Sequence, residues 1–353
     1  MQMDMHYWAV LYLCLKAGIP IGVARVIAHA SQFVDDQVYS KIVQIEKWAF
    51  VPVLTSHKPT DYRLAFTRFI LDVWATFHFL PGNLDAKEFM ARMMCVKNGP
   101  LMKLVLEYAL SHKTEPFGPH LVGIAAHVLL DTFSHDGYVG LSTDLNKIKN
   151  GSLRFEVESA EVKKHIWEKF EQFMGKMVCN AKNIAIGTVA ETVPIGHGAA
   201  YILPDQPFVR FSYETESGLL IKRNNVDYFL EACECLYAFL IEFAKDTPFW
   251  KRPETPASWD SISDEVKSLL QKEGNIEQRS KNWMRVISSS RLFPAESAIY
   301  SPRAWAPARV PAQLTQGITP ENCHPILFAE AARSHQQNVF KIMQDNGMII
   351  NAD

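Results

Sequence analysis

The chain has 353 residues, 48% of them hydrophobic and 21% charged, with a formal net charge of −2. That is the make-up of an ordinary globular protein long enough to bury a large core, as one domain or two. Charge near zero speaks against a surface that coats nucleic acid or a polybasic membrane anchor, and no apolar window reaches membrane-spanning length without charges.

At the N-terminus, Asp4 and His6 precede a short apolar run that Lys16, Gly18, Pro20 and Arg25 soon interrupt. A secretory leader starts basic and continues apolar, so this start reads as mature protein. The cysteines, Cys14, Cys95, Cys179, Cys233, Cys235 and Cys323, are scattered without a CxxC pair, which suits free packing thiols in a reducing cytoplasm. A second helical pattern begins near Val23 and ends in Asp35-Asp36. Two carboxylates there oppose the helix dipole, which points to an ionic or functional partner.

Residues 41–61 read as a loop with short extended pieces, and residues 63–79 resume apolar character, ending in Trp74-Ala-Thr-Phe-His-Phe-Leu-Pro-Gly82 with His78 among aromatics. Residues 88–111 form a helix or a pair split at Gly99-Pro100. Next comes a helix opened by Gly118-Pro119, in which His127, Asp131 and His135 follow at spacings of four. At about 100° per residue these side chains stand in one row. Leu121, Val122, Ile124, Val128, Leu129, Leu130 and Phe133 make the rest of this helix apolar almost all round, so it is buried. A carboxylate between imidazoles inside a core needs a partner, and a metal ion is the most effective one.

Residues 152–181 read as an amphipathic helix with Trp167, Phe170 and Phe173 toward the core. A Gly- and Pro-punctuated loop then carries His197 and Asp205, and residues 208–222 alternate around Glu216-Ser-Gly218 as a hairpin. Residues 225–245 are a helix capped by Asn224 or Asn225. Beyond 246 the chain is proline-rich, with helices near 261–273, 278–288 and 325–346. The expected fold is therefore mainly α: a multi-helix bundle around a buried metal-binding helix, with a small β-hairpin near 208–222. Residues 1–246 would form the metal-binding part, and 247–353 either a separate domain or an extension packed on it.

The candidate ligands are Asp4, His6, Asp35, Asp36, His78, His127, Asp131, His135, His197 and Asp205. Oxygen and nitrogen donors without thiolate favour a catalytic cluster of Zn2+, with Mn2+, Fe2+ or Ni2+ as alternatives, over a structural zinc site. The surplus of ligands fits one to three ions, with Asp131 as the natural bridge. Such a cluster acidifies a bound water and clamps phosphoryl oxygens, the chemistry of phosphoester hydrolysis. The substrate would be a small-molecule, lipid or nucleotide phosphoester, and Asp36 or Asp136 the proton donor to the leaving group. Oligomeric state is not legible.

The order His6, Asp35 or Asp36, His78-Phe, His127-x-x-x-Asp131, His135, then His197 and Asp205 resembles the zinc-dependent phospholipase C and fungal-type zinc nuclease superfamily, and above all a cytoplasmic bacterial family on that theme. The resemblance covers about residues 1–245 and is carried by the central motif. It implies one ion on Asp35 or Asp36, His78, His127 and Asp131. A second would lie on the Met1 end, His6 and Asp131, with Asp4 able to stand in for the N-terminal amine that members use. A third would lie on His135, His197 and Asp205. Two other readings remain: an HD-type phosphohydrolase on His135-Asp136, and a non-catalytic helical protein with a structural metal.

Overall fold

The structure, a computed structural model, describes residues 1–57, 71–183 (173–183 as backbone), 196–245, 250, 255–289 and 299–349. The side chains of Phe173 and Cys179, named above, lie outside the described residues, as do residues 63–70 of the apolar stretch 63–79.

Helices α1 (Val10–Lys16) and α2 (Ile21–Asp36) lead into a hairpin of β1 (Val43–Ile45) and β2 (Trp48–Phe50). Short α3 (Phe89–Arg92) and α4 (Pro100–Ser111) precede α5 (Gly118–Ser134), the hub of the molecule. Every residue of α5 except Pro119 is buried, as its all-round apolar pattern requires. It packs against α2, α4, α7 (Asn225–Ala244) and the last long helix, α11 (His324–Asp345). Gly123 sets the α2 approach: a Cβ there would lie 2.4 Å from the Ile27 carbonyl and 2.6 Å from Ala30 Cβ. Only glycine allows the two backbones this close.

Two segments wind as π-helix, Asp4–Ala9 and Leu71–His78. In the second, Phe79 N–H donates to the Trp74 carbonyl at 2.7 Å, five residues back. Wide turns of this kind concentrate at functional sites, and each of these carries a candidate ligand, His6 or His78.

The expected hairpin is present as β4 (Arg210–Glu214) and β5 (Leu220–Asn224), turning at Gly218 with φ of 85°. β3 (Arg154–Glu156) adds to its β4 edge. The fold is thus mainly α with small antiparallel sheets. Helix α6 (Ala160–Asn183) departs from expectation in one respect: among its described side chains Ile166 is the buried one, whereas Trp167 is 40% exposed and rests on Phe155.

The C-terminal part contributes α8 (Trp259–Leu270), α9 (Ile276–Ser289) and α10 (Val310–Thr315) before α11. Ile262, Val266, Trp283, Trp305 and Phe328 join the same apolar core as α1, α2 and α5, so residues on both sides of 246 share it. Among the described residues no helix is long and apolar enough to cross a membrane.

Candidate metal centre

The row on α5 meets side chains from the end of α2, from both π-helical segments and from the 196–205 loop. Among the described residues, three groups have donor atoms within 4.8 Å of one another and could hold a metal ion: His6, His127 and Asp131; Asp35, His78 and His127; His135, His197 and Asp205. The Met1 amine joins them, 2.5 Å from Asp131 Oδ1 and 3.3 Å from Asp205 Oδ1. Beside the groups lies a cavity of about 270 Å³, lined by Met1, Asp35, His78, Asp131, His135, His197 and Asp205 together with Ser56, His57 and Trp74.

Backbone carbonyls fix the imidazole tautomers, because a carbonyl can only accept. His127 Nδ1–H donates to the Ser31 carbonyl at 2.8 Å, and His78 Nε2–H to that of Thr55 at 2.8 Å. His135 Nδ1–H donates to the His78 carbonyl and His197 Nδ1–H to that of Tyr201, both at 2.6 Å. In each ring the other nitrogen is left facing the cluster, the arrangement that orients metal-binding histidines.

This arrangement creates a conflict that a cation resolves. His78 Nδ1 and His127 Nε2 lie 3.3 Å apart, and with their other nitrogens donating, both present lone pairs unless one ring takes an extra proton. His6 is fully buried and stacked 3.9 Å from His127; its Nε2 lies 3.1 Å from Asp131 Oδ1 outside hydrogen-bond geometry, and its Nδ1 has no hydrogen-bond partner among the described residues. Buried polar atoms without partners are costly, and a metal would satisfy them.

The same crowding of charge shifts the protonation equilibria of the cluster. Burial acts to lower the pKa of the Met1 amine, but Asp131, Asp205 and Asp35 outweigh it and raise it to about 11. Burial likewise opposes charge on His78, yet its hydrogen bond to Asp131 and the charges of Asp131 and Asp35 raise its pKa. Asp131 is held well below the carboxylate range against burial, by the Met1 amine, His135, His127 and His6. Burial raises Asp35 and lowers His6 and His197.

Other expected residues lie elsewhere. Asp4 is turned onto Arg279, with Nε 2.7 Å and a terminal nitrogen 3.2 Å from its carboxylate, and does not join the cluster. Of the acidic pair, Asp35 faces the ligands, while Asp36 accepts from Tyr300 Oη at 2.6 Å and Gln32 Nε2 at 3.2 Å. Asp136 accepts from the Lys97 amide at 3.0 Å and lines a different cavity, so His135-Asp136 is not a joint metal pair. From α11, which carries none of the candidate ligands, His335 donates to the Thr76 carbonyl at 2.8 Å and Arg333 to that of Val51 at 3.4 Å.

Several supporting residues carry no sequence motif. Ser134 Oγ is 2.5 Å from Asp205 Oδ1, and the Asn225 side chain, instead of capping α7, donates to the Leu203 and Gln206 carbonyls at 2.7 Å on either side of Asp205. Buried Arg223 donates to the last α5 carbonyls, Ser134 at 2.8 Å and Phe133 at 2.5 Å. His57 and Trp74 were also beyond sequence reasoning, although Trp74 stands four residues before His78.

The chain belongs to a family of unknown function, DUF6765, whose family model matches residues 1–343. No curated protein and no solved structure gives a significant match to it.

Proposed function

We propose that this protein is a metal-dependent hydrolase of a phosphoester, of the zinc-dependent phospholipase C and nuclease type. The observation that carries the reading is the double orientation of Asp131. Its Oδ1 lies 2.5 Å from the Met1 amine and 3.1 Å from His6 Nε2, and its Oδ2 lies 3.1 Å from His127 Nε2 and 3.2 Å from His78 Nδ1. A carboxylate facing two donor sets suits neighbouring cations, and the lack of thiolate suits hydrolytic rather than structural zinc.

On this reading Asp35, His78, His127 and Asp131 hold one ion, Asp131, His6 and the Met1 amine a second, and His135, His197 and Asp205 a third. Zn2+ fits this donor set, and Mn2+, Fe2+ or Ni2+ are the alternatives to test. Divalent ions supply a water acidified toward neutral pH and positive charge for phosphoryl oxygens. The chain's own part is orientation: the carbonyls of Ser31, Thr55, His78 and Tyr201 hold the rings, and Ser134 and Asn225 hold Asp205 and its loop.

The purified protein, loaded with zinc or manganese, should hydrolyse at least one of a panel of phosphodiesters, phosphomonoesters and phospholipids. Chelation should abolish turnover, metal should restore it, and His127→Ala should lack it. A panel with no turnover sensitive to both treatments would leave the structural-metal reading instead.

A further inference from the structure

Asp36 and Asp136 are engaged away from the cavity, so neither is placed to give a proton to a leaving oxygen. We propose that His57 is the catalytic acid that protonates the leaving group of the phosphoester, a role that rests on the hydrolase reading above. Outside the donor groups the cavity is lined by Ser56, His57 and Trp74, and of these only His57 has a side chain of the kind that serves as a general acid. It belongs to none of the donor groups.

The segment that carries it is built onto the site. Gln37, just beyond Asp36, donates from Nε2 to the Val53 carbonyl at 3.0 Å and accepts the Thr55 and Ser56 amides at 3.3 Å. Thr55 Oγ1 donates to the Val34 carbonyl at 2.7 Å, and the Thr55 carbonyl receives His78. The Thr55–Ser56 peptide that orients His78 is therefore itself tied to Gln37, immediately before His57. The His57 ring lies 4.8 Å from the Trp74 ring, which in turn lies 5.5 Å from that of His78. Trp74 thus walls the cavity between imidazole and donors.

In the step, a water oxygen forms the new bond to phosphorus as the bond to the leaving oxygen breaks. The electron pair goes to that oxygen, which takes its proton from the His57 imidazolium. The proton lost by the water passes to solvent, from which His57 is recharged. General acid catalysis of this kind is worth about 10²–10⁴-fold, and it matters most for a poor leaving group.

The test compares the metal-loaded parent and His57→Gln on a p-nitrophenyl phosphodiester and on a dialkyl-type diester such as a glycerophospholipid headgroup analogue. Metal content and inorganic phosphate binding by calorimetry are measured alongside. The variant should keep its metal, lose at least about a hundredfold on the alkyl leaving group and only a few-fold on p-nitrophenyl, and bind phosphate more weakly. Equal losses on both esters, no loss on either, or loss of metal would overturn the assignment. If the parent turns over neither ester, it is the hydrolase reading that fails, and unchanged phosphate affinity in His57→Gln would then dismiss His57 as well.

Discussion

Asp131 concentrates the site's energetics in one side chain. It is 1% exposed and meets the Met1 amine, His6, His78 and His127 at hydrogen-bonding distance. Asp131→Ala leaves those cationic or lone-pair groups without their counter-charge, so it should cost roughly 3–5 kcal/mol of stability and, on the metal-dependent reading proposed above, abolish metal binding. Elemental analysis with denaturant unfolding checks both, and an unchanged metal stoichiometry would defeat the bridging role. Gly196 makes a second prediction at this scale. Its φ is 56°, and a Cβ there would fall 2.2 Å from Phe79 Cζ, while the Phe79 ring stacks 4.1 Å from His135. Gly196→Ala should displace that ring, loosen His135 and His197 together, and destabilise the protein by about 1–3 kcal/mol. Retained metal affinity with full stability in this variant would show that the Phe79 stack does not hold the two histidines.

The α5 helix shows what the sequence discloses at the scale of elements and what it withholds. His127, Asp131 and His135 were legible because a helix brings residues four apart onto one face whatever surrounds it. The choice between Asp35 and Asp36 was not legible. It depends on how α2 is rotated against α5 and on Tyr300, which holds Asp36 from 264 residues away. Asp4 looked like a ligand for the same reason: its partner Arg279 is 275 residues distant. His57 carries no motif in the sequence, since its position at the cavity comes from the tie of Thr55 to His78. Arg223 is the strongest element-level test. Its guanidinium satisfies the Ser134 and Phe133 carbonyls at the negative end of α5, next to His135. Arg223→Met should cost about 2–4 kcal/mol by leaving both carbonyls buried without a donor. Chemical denaturation measures this; a loss below about 0.5 kcal/mol, the range of ordinary surface substitutions, would mean α5 needs no such cap.

At the scale of the whole molecule, the C-terminal part is joined to the part that carries the candidate metal centre through a seam of histidines with lowered pKa values. Trp305 stacks on His29 of α2 at 4.0 Å, and lies 5.1 Å from His120 of α5 and 5.0 Å from His324 at the start of α11. His120 and His324 also approach within 3.1 Å. Burial lowers the pKa of all three, that of His29 from 6.5 to about 3, with His324 and Arg25 adding to the shift. Burial likewise lowers His335, from 6.5 to about 4. In the unfolded chain these rings take up protons below 6.5, whereas in the fold they stay neutral until the lowered value is reached. The unfolded state therefore binds more protons in that interval, so stability is full above 6.5 and falls as pH drops toward 3 to 4. His29→Phe keeps a ring against Trp305 but cannot be protonated, so its unfolding midpoint should decline less steeply than the parent's between those limits. Because the ligand histidines are unchanged in both proteins, the difference in slope isolates the seam, and parallel slopes would show that His29 is not what acid acts on.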